Sequence, residues 1–516
     1  MDLFVTSLTE AVKMFGDPLL LLLMVVAFIW GAIAGALPGI GPTLAVGLAL
    51  PFTFGMDPVY AVAFLVAINC ADSFGNSIPS ILLGVPGGPS AVLTAIDGYA
   101  LHKQGKSGLA LGVQFYGAVF GQFISLFFFL LLVVPLSGLR YVFLAPEFFS
   151  LYFLGMTAIV SISDENILKG LAATTFGLAI SLIGRDPVSS VTRFAYHVEL
   201  REGIEAVPVI MGMLALSELF RSTRQSFTWG ELGTSFSAKF PSLKSLWRVT
   251  PAVLMGTCIG TFLGAIPGLG GTTGAFVSYQ QSKLWSKHPE EYGHGSIDGV
   301  AANEAAQNAS QAGEMVPTFG LGVPGSSTMV LLLAALLIHG FVPGPLLIKT
   351  APKLLYAAVY GLLSITLIMA VLGWPVQFYL LKTVTLDRSL ILIGSVALCI
   401  VGVFSLNRSV FDVFLMVLFG MVGYIMRRYG YSVAAASIAL ILGRGLETNL
   451  RLGLLLCDKD LVKFLTRPYT AVTLSIAFAL LIYGTIGTIR LARKSATYRR
   501  QALAAHLASE NALKNT

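Results

Sequence analysis

The stretch Gly35-Ala36-Leu37-Pro38-Gly39-Ile40-Gly41-Pro42-Thr43 decides the fold, because it occurs twice. Residues 264–272 read Gly264-Ala265-Ile266-Pro267-Gly268-Leu269-Gly270-Gly271-Thr272, identical at six of nine positions with two Leu/Ile exchanges besides. A second motif follows each copy. Leu83-Gly84-Val85-Pro86-Gly87 returns as Leu321-Gly322-Val323-Pro324-Gly325, and Val92-Leu93 returns as Val330-Leu331. Two motifs repeated in the same order mark a duplicated unit. Each copy puts Pro and Gly inside a strongly apolar setting, where an unbroken helix is the default.

Composition fixes the solvent. The chain has 516 residues, of which 55% are hydrophobic and 11% charged, and its mean hydropathy is +0.80. Soluble domains carry about 25% charged residues, so lipid must be the main solvent here. Residues 18–56, 107–139, 249–282, 315–348, 354–381 and 468–489 contain no Asp, Glu, Lys or Arg. About 20 apolar residues cross a bilayer as a helix, and several of these runs exceed that length. The expected fold is an all-α polytopic membrane protein of about 12 spans. Its two homologous repeats each hold a Pro/Gly-broken helix and a hairpin, and we expect them to be inverted. The expected divisions are a first membrane repeat over 1–220, a basic linker over 221–247, and a second repeat with a C-terminal tail over 248–516. The four cysteines, Cys70, Cys258, Cys399 and Cys457, form no CxxC pair and read as small apolar fillers. The net charge of +7 gathers at Arg221/Arg224, Lys283/Lys287, Arg427/Arg428 and the tail from Arg490. In a membrane chain this reads as cytoplasmic anchoring, with the C-terminus cytoplasmic, and not as nucleic-acid binding.

In chain order, a first crossing over 19–36 breaks at Pro38-Gly39-Ile40-Gly41-Pro42. A break at membrane depth frees backbone N–H and C=O groups, tolerated only where protein or a watery cavity satisfies them. The polar run Asn69–Ser80 follows, then the Pro86–Ser90 turn and the apolar Ala91–Ile96. Crossings near 107–134, 142–160, 167–183 and 204–220 complete the first half, with a polar connector over 185–202. The second half repeats the plan: a crossing over 249–266, a break at Pro267-Gly268, a charged insert over 283–296, and the polar run Asn303–Pro317. Further crossings are expected near 328–348, 354–373, 388–404, 409–426, 431–446 and 468–490, and 447–467 is ambiguous.

Duplicated broken helices near the membrane midplane point to a transport site. A half-helix ending inside the membrane presents free N–H groups and about half a positive charge at its N-terminus, which can hold a carboxylate. A half-helix C-terminus presents carbonyls that can coordinate Na⁺. Glycine lets backbone approach a ligand closely, and neutral Ser, Thr and Asn release substrate more readily than fixed ion pairs. The candidate substrate-binding set in the first half is Pro38, Gly39, Gly41, Thr43, Asn69, Ser73, Asn76, Ser77, Gly84, Pro86, Gly87, Gly88 and Ser90. In the second half it is Pro267, Gly268, Gly270, Thr272, Thr273, Asn303, Asn308, Ser310, Gln311, Gly322, Pro324, Gly325, Ser326 and Ser327. Gly31/Gly35, a GxxxG pair, reads instead as helix packing. Asp72, Glu304 and Glu314 are the intramembrane carboxylates, costly in lipid and therefore candidates for ion coupling; the opposing reading puts one or more of them at a helix end in water. His102 and His339 read as span-end residues. No arginine is expected beside either motif, so backbone dipoles would carry anion recognition.

These residues resemble the large membrane subunit of the tripartite tricarboxylate transporters, the TctA-like family. The resemblance rests on Gly35–Thr43, Asn69–Ser90 and their repeats Gly264–Thr273 and Asn303–Ser327, and covers roughly 20–490. It implies a bacterial inner-membrane secondary transporter for citrate or a related carboxylate. It also implies a coupling ion, Na⁺ or H⁺, with no other cofactor, a small membrane subunit, and a periplasmic binding protein that delivers substrate.

Other classes find less support. An ATP-driven pump needs a nucleotide site, and the chain has no GxxxxGK[ST] P-loop. An intramembrane hydrolase needs a nucleophile and a base, and no histidine lies near either motif, so no enzymatic activity is expected. A carrier of another small organic solute and a channel-like permease share these sequence features.

Overall fold

The structure is a computed structural model and describes residues 2–37, 40–138, 143–163, 167–186, 191–201, 203–222, 239–383, 388–482 and 484–486. In chain order the helices are α1 (Asp2–Lys13), α2 (Pro18–Ala36), α3 (Pro42–Ala49), α4 (Pro58–Gly75), α5 (Ser77–Leu83), α6 (Val92–Lys103), α7 (Ser107–Ser137), α8 (Ala145–Ser163), α9 (Ile167–Ser181), α10 (Ala206–Ile210), α11 (Ser217–Ser222), α12 (Leu243–Gly264), α13 (Gly270–Trp285), α14 (Ile297–Leu321), α15 (Ser327–Ile338), α16 (Leu347–Thr350), α17 (Pro352–Thr383), α18 (Arg388–Asn407), α19 (Val410–Arg428), α20 (Val433–Leu456), α21 (Leu461–Leu465) and α22 (Pro468–Ile486). A π-helical turn, Met211–Leu216, joins α10 to α11. Eight helices among the described residues are long and apolar enough to cross a membrane, and shorter apolar helices run over Pro42–Thr53, Ile167–Ser181 and Ser327–Ile338. The protein is an all-α, multi-pass membrane protein.

Local chemistry explains where the helices start. Asp17 caps α2, accepting from the Leu19 and Leu20 N–H groups at 3.0 and 3.2 Å, and Pro18 follows at the first helical position. Asp57 caps α4 in the same way, ahead of Pro58. Such side chains satisfy N–H groups that lack intrahelical partners, and proline there has no N–H to leave unsatisfied. Both polar runs of the sequence are helical. Asn69–Ser80 spans the α4–α5 junction, interrupted as helix only at Asn76, and Asn303–Pro317 lies wholly inside α14. Pro79 and Pro317 therefore do not end their helices. The chain turns at Gly84 and Gly322, which sit at φ of +67° and +74°, with the N–H groups of Val85 and Val323 donating to the carbonyls of Pro79 and Pro317. Glycine alone adopts this left-handed closure without strain.

The central layer is built on backbone contact. A methyl group on Gly31 or Gly35 of α2 would stand 2.5 Å from the Ile68 carbonyl oxygen or 2.2 Å from that of Asp72, on α4. Gly260 and Gly264 of α12 meet the carbonyls of Ala306 and Ser310 on α14 at 2.1 and 2.6 Å in the same sense. Aligned on the motifs, Ile68 and Asp72 correspond to Ala306 and Ser310. The reverse contacts also correspond: Gly75 lies on the Ala32 carbonyl and Gly313 on that of Thr261. Close approach of this kind is what small residues provide between helices in lipid, where water drives no association. Every residue from Gly299 to Gly320 is buried, so α14, polar along much of its length, is shielded from lipid by protein. Around it, α7 packs on α14 and α12, and α17 packs on α4 and α2. Two flanking groups complete the molecule: α8 and α9 against α20, and α10, α11 and α18 against α19.

The polar connector folds as an antiparallel ribbon, β1 (Gly184–Arg185) with β2 (Thr192–Arg193). It is pinned to α20 by Arg193, which donates to both Glu447 oxygens at 2.9 Å, and by Arg451, which donates to Asp186 at 2.9 Å. The ambiguous segment 447–467 is the end of α20 followed by α21. The charged insert is tied down by the Asp97 carboxylate, which accepts from Tyr279 Oη at 2.7 Å and from the N–H groups of Gly293 and Gly295 at 2.7 and 2.9 Å. Cys70, Cys399 and Cys457 are buried thiols, and Cys258 is exposed. Most of the expected linker and the C-terminal tail lie outside the described residues. The linker's two ends are helical, in α11 and α12.

Gly31→Val and Gly260→Val should each destabilise the detergent-solubilised protein by more than the ~1–3 kcal/mol usual for overpacking, because the added atoms meet backbone. Gly55→Ala, with nothing within 4 Å of the added methyl, should change the thermal unfolding midpoint little. Equal midpoints for all three would show that these helices are not held by backbone contact.

Candidate functional site

Five helix ends converge where the motifs meet. α3 and α13 begin within the last residues of the first motif of each half, α5 and α14 end at the second, and α15 begins after it. Gly268 N–H donates to the Gly325 carbonyl at 2.9 Å, joining the two motifs of the second half. Gly87 N–H donates to the Asn76 carbonyl at 3.1 Å, folding the Pro86–Ser90 turn back onto the α4–α5 junction. Gly87 is held there by size, since a methyl group on it would stand 2.3 Å from the Gly35 carbonyl oxygen. Thr43 and Thr328, at the starts of α3 and α15, place their hydroxyls 3.3 Å apart across the halves.

A cavity of about 690 Å³ opens between these ends. Of the expected substrate-binding residues, Gly41, Thr43, Asn69, Ser73, Pro86, Gly87, Gly88 and Ser90 line it from the first half. Gly268, Gly270, Thr272, Gln311, Ser326 and Ser327 line it from the second, together with Glu314. Both halves thus form one site. Pro38 and Gly39 lie outside the described residues. Asn76, Ser77, Gly84, Pro267, Thr273, Asn303, Asn308, Ser310, Gly322, Pro324 and Gly325 do not line the cavity. Asn69 and Gln311 bridge the two halves by a side-chain hydrogen bond, and Gln311 Nε2 donates to Ser73 Oγ at 2.7 Å.

The three carboxylates separate into different environments. Glu314 faces the cavity, and its Oε1 accepts from Gly271 N–H at 3.0 Å, at the N-terminal end of α13. It therefore fills a helix terminus that would otherwise attract an anion. The corresponding residue in the first half is Asn76, and Gly271 corresponds to Pro42, which has no N–H. The α3 start is accordingly left without a side-chain cap, and Gly41 there lines the cavity. Glu304 is sealed away. Ser77 Oγ donates to its Oε1 at 2.7 Å, Thr94 donates to the same oxygen, and Gln307 Nε2 donates to its Oε2 at 2.8 Å. Asn303 Nδ2 donates in turn to Thr94 Oγ1 at 2.8 Å and to the Ser90 carbonyl at 3.1 Å, which links this buried network to the cavity wall. Asp72 is fully buried, and neither of its oxygens has a hydrogen-bond partner among the described residues. A buried polar group left unpaired costs about 1–3 kcal/mol, and more when charged. All three carboxylates are buried within the protein.

Sequence reasoning missed two groups. Thr94 and Gln307, which hold Glu304, carry a weak signal: Thr94 is a lone hydroxyl in an apolar stretch, and Gln307 is one of several polar residues in the run Asn303–Pro317. Arg221 and Arg427 line the cavity together with Glu218. This corrects the expectation that these arginines only anchor the chain at the membrane surface and that no arginine serves the site. They belong to helices remote in sequence from both motifs, and no local pattern could have placed them there.

These features define a class: a multi-pass membrane protein with a cavity walled by both copies of the Pro-Gly motifs. The chain belongs to the tripartite tricarboxylate transporter TctA family, whose match covers residues 21–438. It is 32% identical over 476 residues to an uncharacterized 52.8 kDa protein in the TAR-I ttuC' 3'region of Agrobacterium vitis, covering 91% of this chain and 93% of that one. It is 31% identical over 234 residues to an uncharacterized protein in the TAR-II ttuC' 3'region of the same organism, covering 45% of this chain and 97% of that one. An uncharacterized protein of Methanocaldococcus jannaschii matches at 36% over 117 residues, or 21% of this chain and 28% of that one. No solved structure matches the chain. The family is one of transporters, not enzymes, and its members work in systems with partner subunits.

Glu304→Leu strips three donors of their acceptor and should cost several kcal/mol, at about 1–3 per unsatisfied group, read as a large fall in thermal unfolding midpoint. Glu304→Gln keeps an acceptor and should cost less. A leucine variant as stable as the glutamine variant would show that the network does not hold the two halves together.

Proposed function

We propose that this chain is the large permease subunit of an ion-coupled, binding-protein-dependent secondary transporter that imports citrate or a related di- or tricarboxylate. The observation that carries the reading is the single cavity walled by both copies of the Pro-Gly motifs, with glycine backbone, hydroxyls and amides at its surface. A carboxylate there would be met by the uncapped start of α3 and by neutral donors such as Ser90, Thr272 and Ser327. Binding through dipoles and hydroxyls leaves the substrate free to depart, as a carrier requires.

The coupling ion, Na⁺ or H⁺, would act through the buried carboxylates. Asp72, unpaired and sealed beneath the site, is the strongest candidate, and Glu304 and Glu314 are the others. Two inverted repeats of about 12 spans in all, divided near 221–247, suit alternating access, in which the halves of a duplicated fold rock or slide about a fixed midplane site. The reading places the chain in a bacterial inner membrane with its C-terminus cytoplasmic. It gives the chain a small membrane subunit and a periplasmic solute-binding protein as partners.

The test is uptake of labelled citrate, tartrate and succinate into proteoliposomes. These would hold this chain with its small subunit and binding protein, and Na⁺ and proton gradients would be imposed separately. Saturable uptake that needs the binding protein and one gradient is expected. Asp72→Asn should remove the gradient dependence or reduce uptake at least about tenfold, the scale of a single charge-assisted contact. Uptake of no carboxylate under either gradient, with all subunits assembled, would overturn the reading. Non-saturating flux would favour a channel.

A further inference from the structure

The motif hairpins do not wall the cavity alone. α11 supplies Glu218 and Arg221, and the last turn of α19 supplies Arg427. The three side chains form one cluster. Arg427 Nη1 stands 3.0 Å from Glu218 Oε2, Arg427 Nε donates to Ser217 Oγ at 3.0 Å, and Arg221 Nε stands 3.1 Å from Glu218 Oε1. One carboxylate therefore joins two guanidinium groups and neutralises one of their two charges, leaving the cluster net positive. Arginine has five donors in a fixed fork and stays protonated under all ordinary conditions. The bonds above leave several of them for a ligand. The Arg221 side chain is 52% exposed and that of Arg427 26%.

This cluster differs in kind from the rest of the wall. The motif segments offer backbone dipoles and hydroxyls, which suit one carboxylate at modest strength. The arginine pair offers fixed positive charge, which suits a second carboxylate and binds it bidentately. The two parts also come from different helices, the motifs from the central layer and the arginines from the flanking group around α19. We propose that Arg221 and Arg427, whose charge Glu218 partly neutralises, form a second anion subsite that makes the site select substrates with two or more carboxylates over monocarboxylates. The inference rests on the carboxylate-carrier reading and deepens it. A ligand that reaches both parts bridges the central layer to the flanking helices, whereas a monocarboxylate occupies one part only.

The experiment uses the full chain in lipid nanodiscs, with equilibrium binding of acetate, succinate and citrate to the wild type, Arg221→Gln and Glu218→Gln. Monodispersity and thermal unfolding check that each variant is folded. Wild type should bind citrate and succinate more tightly than acetate. Arg221→Gln should lower the citrate-to-acetate affinity ratio about tenfold, the scale of one lost charge-assisted hydrogen bond. Glu218→Gln should raise the ratio, because it removes the competing anion; general structural damage would not tighten binding of one ligand class. A ratio unchanged in both variants, or lowered in both, overturns the subsite while leaving the carrier reading intact. Equal wild-type affinity for all three probes overturns it as well. Wild type that binds none of them overturns the carboxylate reading itself, and the subsite with it.

Discussion

Glycine laid directly on a carbonyl is the contact from which this architecture follows. Gly31, Gly35, Gly260 and Gly264 bring α2 and α12 so close to α4 and α14 that no side chain fits between them. Lipid tails are as apolar as the helices, so association here depends on packing and hydrogen bonds and not on water release. The close approach has a chemical use. It surrounds α4 and α14 with protein, and only there can helices carry Asn69, Asp72, Gln307 and Gln311 at membrane depth without exposing them to lipid.

Once those helices are shielded, their polar residues find partners across the molecule and not along the chain. Ser77 and Thr94 of the first half hold Glu304 of the second, and Asn69 and Ser73 meet Gln311. The halves are joined by buried hydrogen bonds in a medium where an unpaired partner is costly. The start of α3 has no side-chain cap and opens onto the cavity. Some of the paired residues, Asn69, Ser73 and Gln311, line that cavity as well.

The two motif copies make matching glycine contacts and differ in chemistry. Where the second has Glu314 on the Gly271 N–H at the start of α13, the first has Asn76 and Pro42. One helix start is filled by the protein's own carboxylate and the other is open. The two motif copies are thereby chemically asymmetric, and a charged cluster from outside them, Glu218, Arg221 and Arg427, lines the same cavity.

Much of this was legible in the sequence. Composition alone required lipid as solvent, and the doubled Gly35–Thr43 and Leu83–Gly87 motifs marked segments that wall the cavity. These are local or periodic properties, and a repeat is visible without knowing where it folds. Pro79 lies in the first turn of α5, where its missing N–H costs nothing, and the chain turns at Gly84. What only the tertiary structure decided is which polar residues face one another. Glu304 and Glu314 lie on one helix ten residues apart by number, yet one is sealed by Ser77, Thr94 and Gln307 and the other faces the cavity. Arg221 and Arg427 read as surface anchors until α11 and α19 bring them to the same wall. Sequence determined the solvent, the elements and their duplication, because those follow from each residue and its neighbours. The pairing of side chains hundreds of residues apart depends on how the helices pack, and only the folded chain settles that.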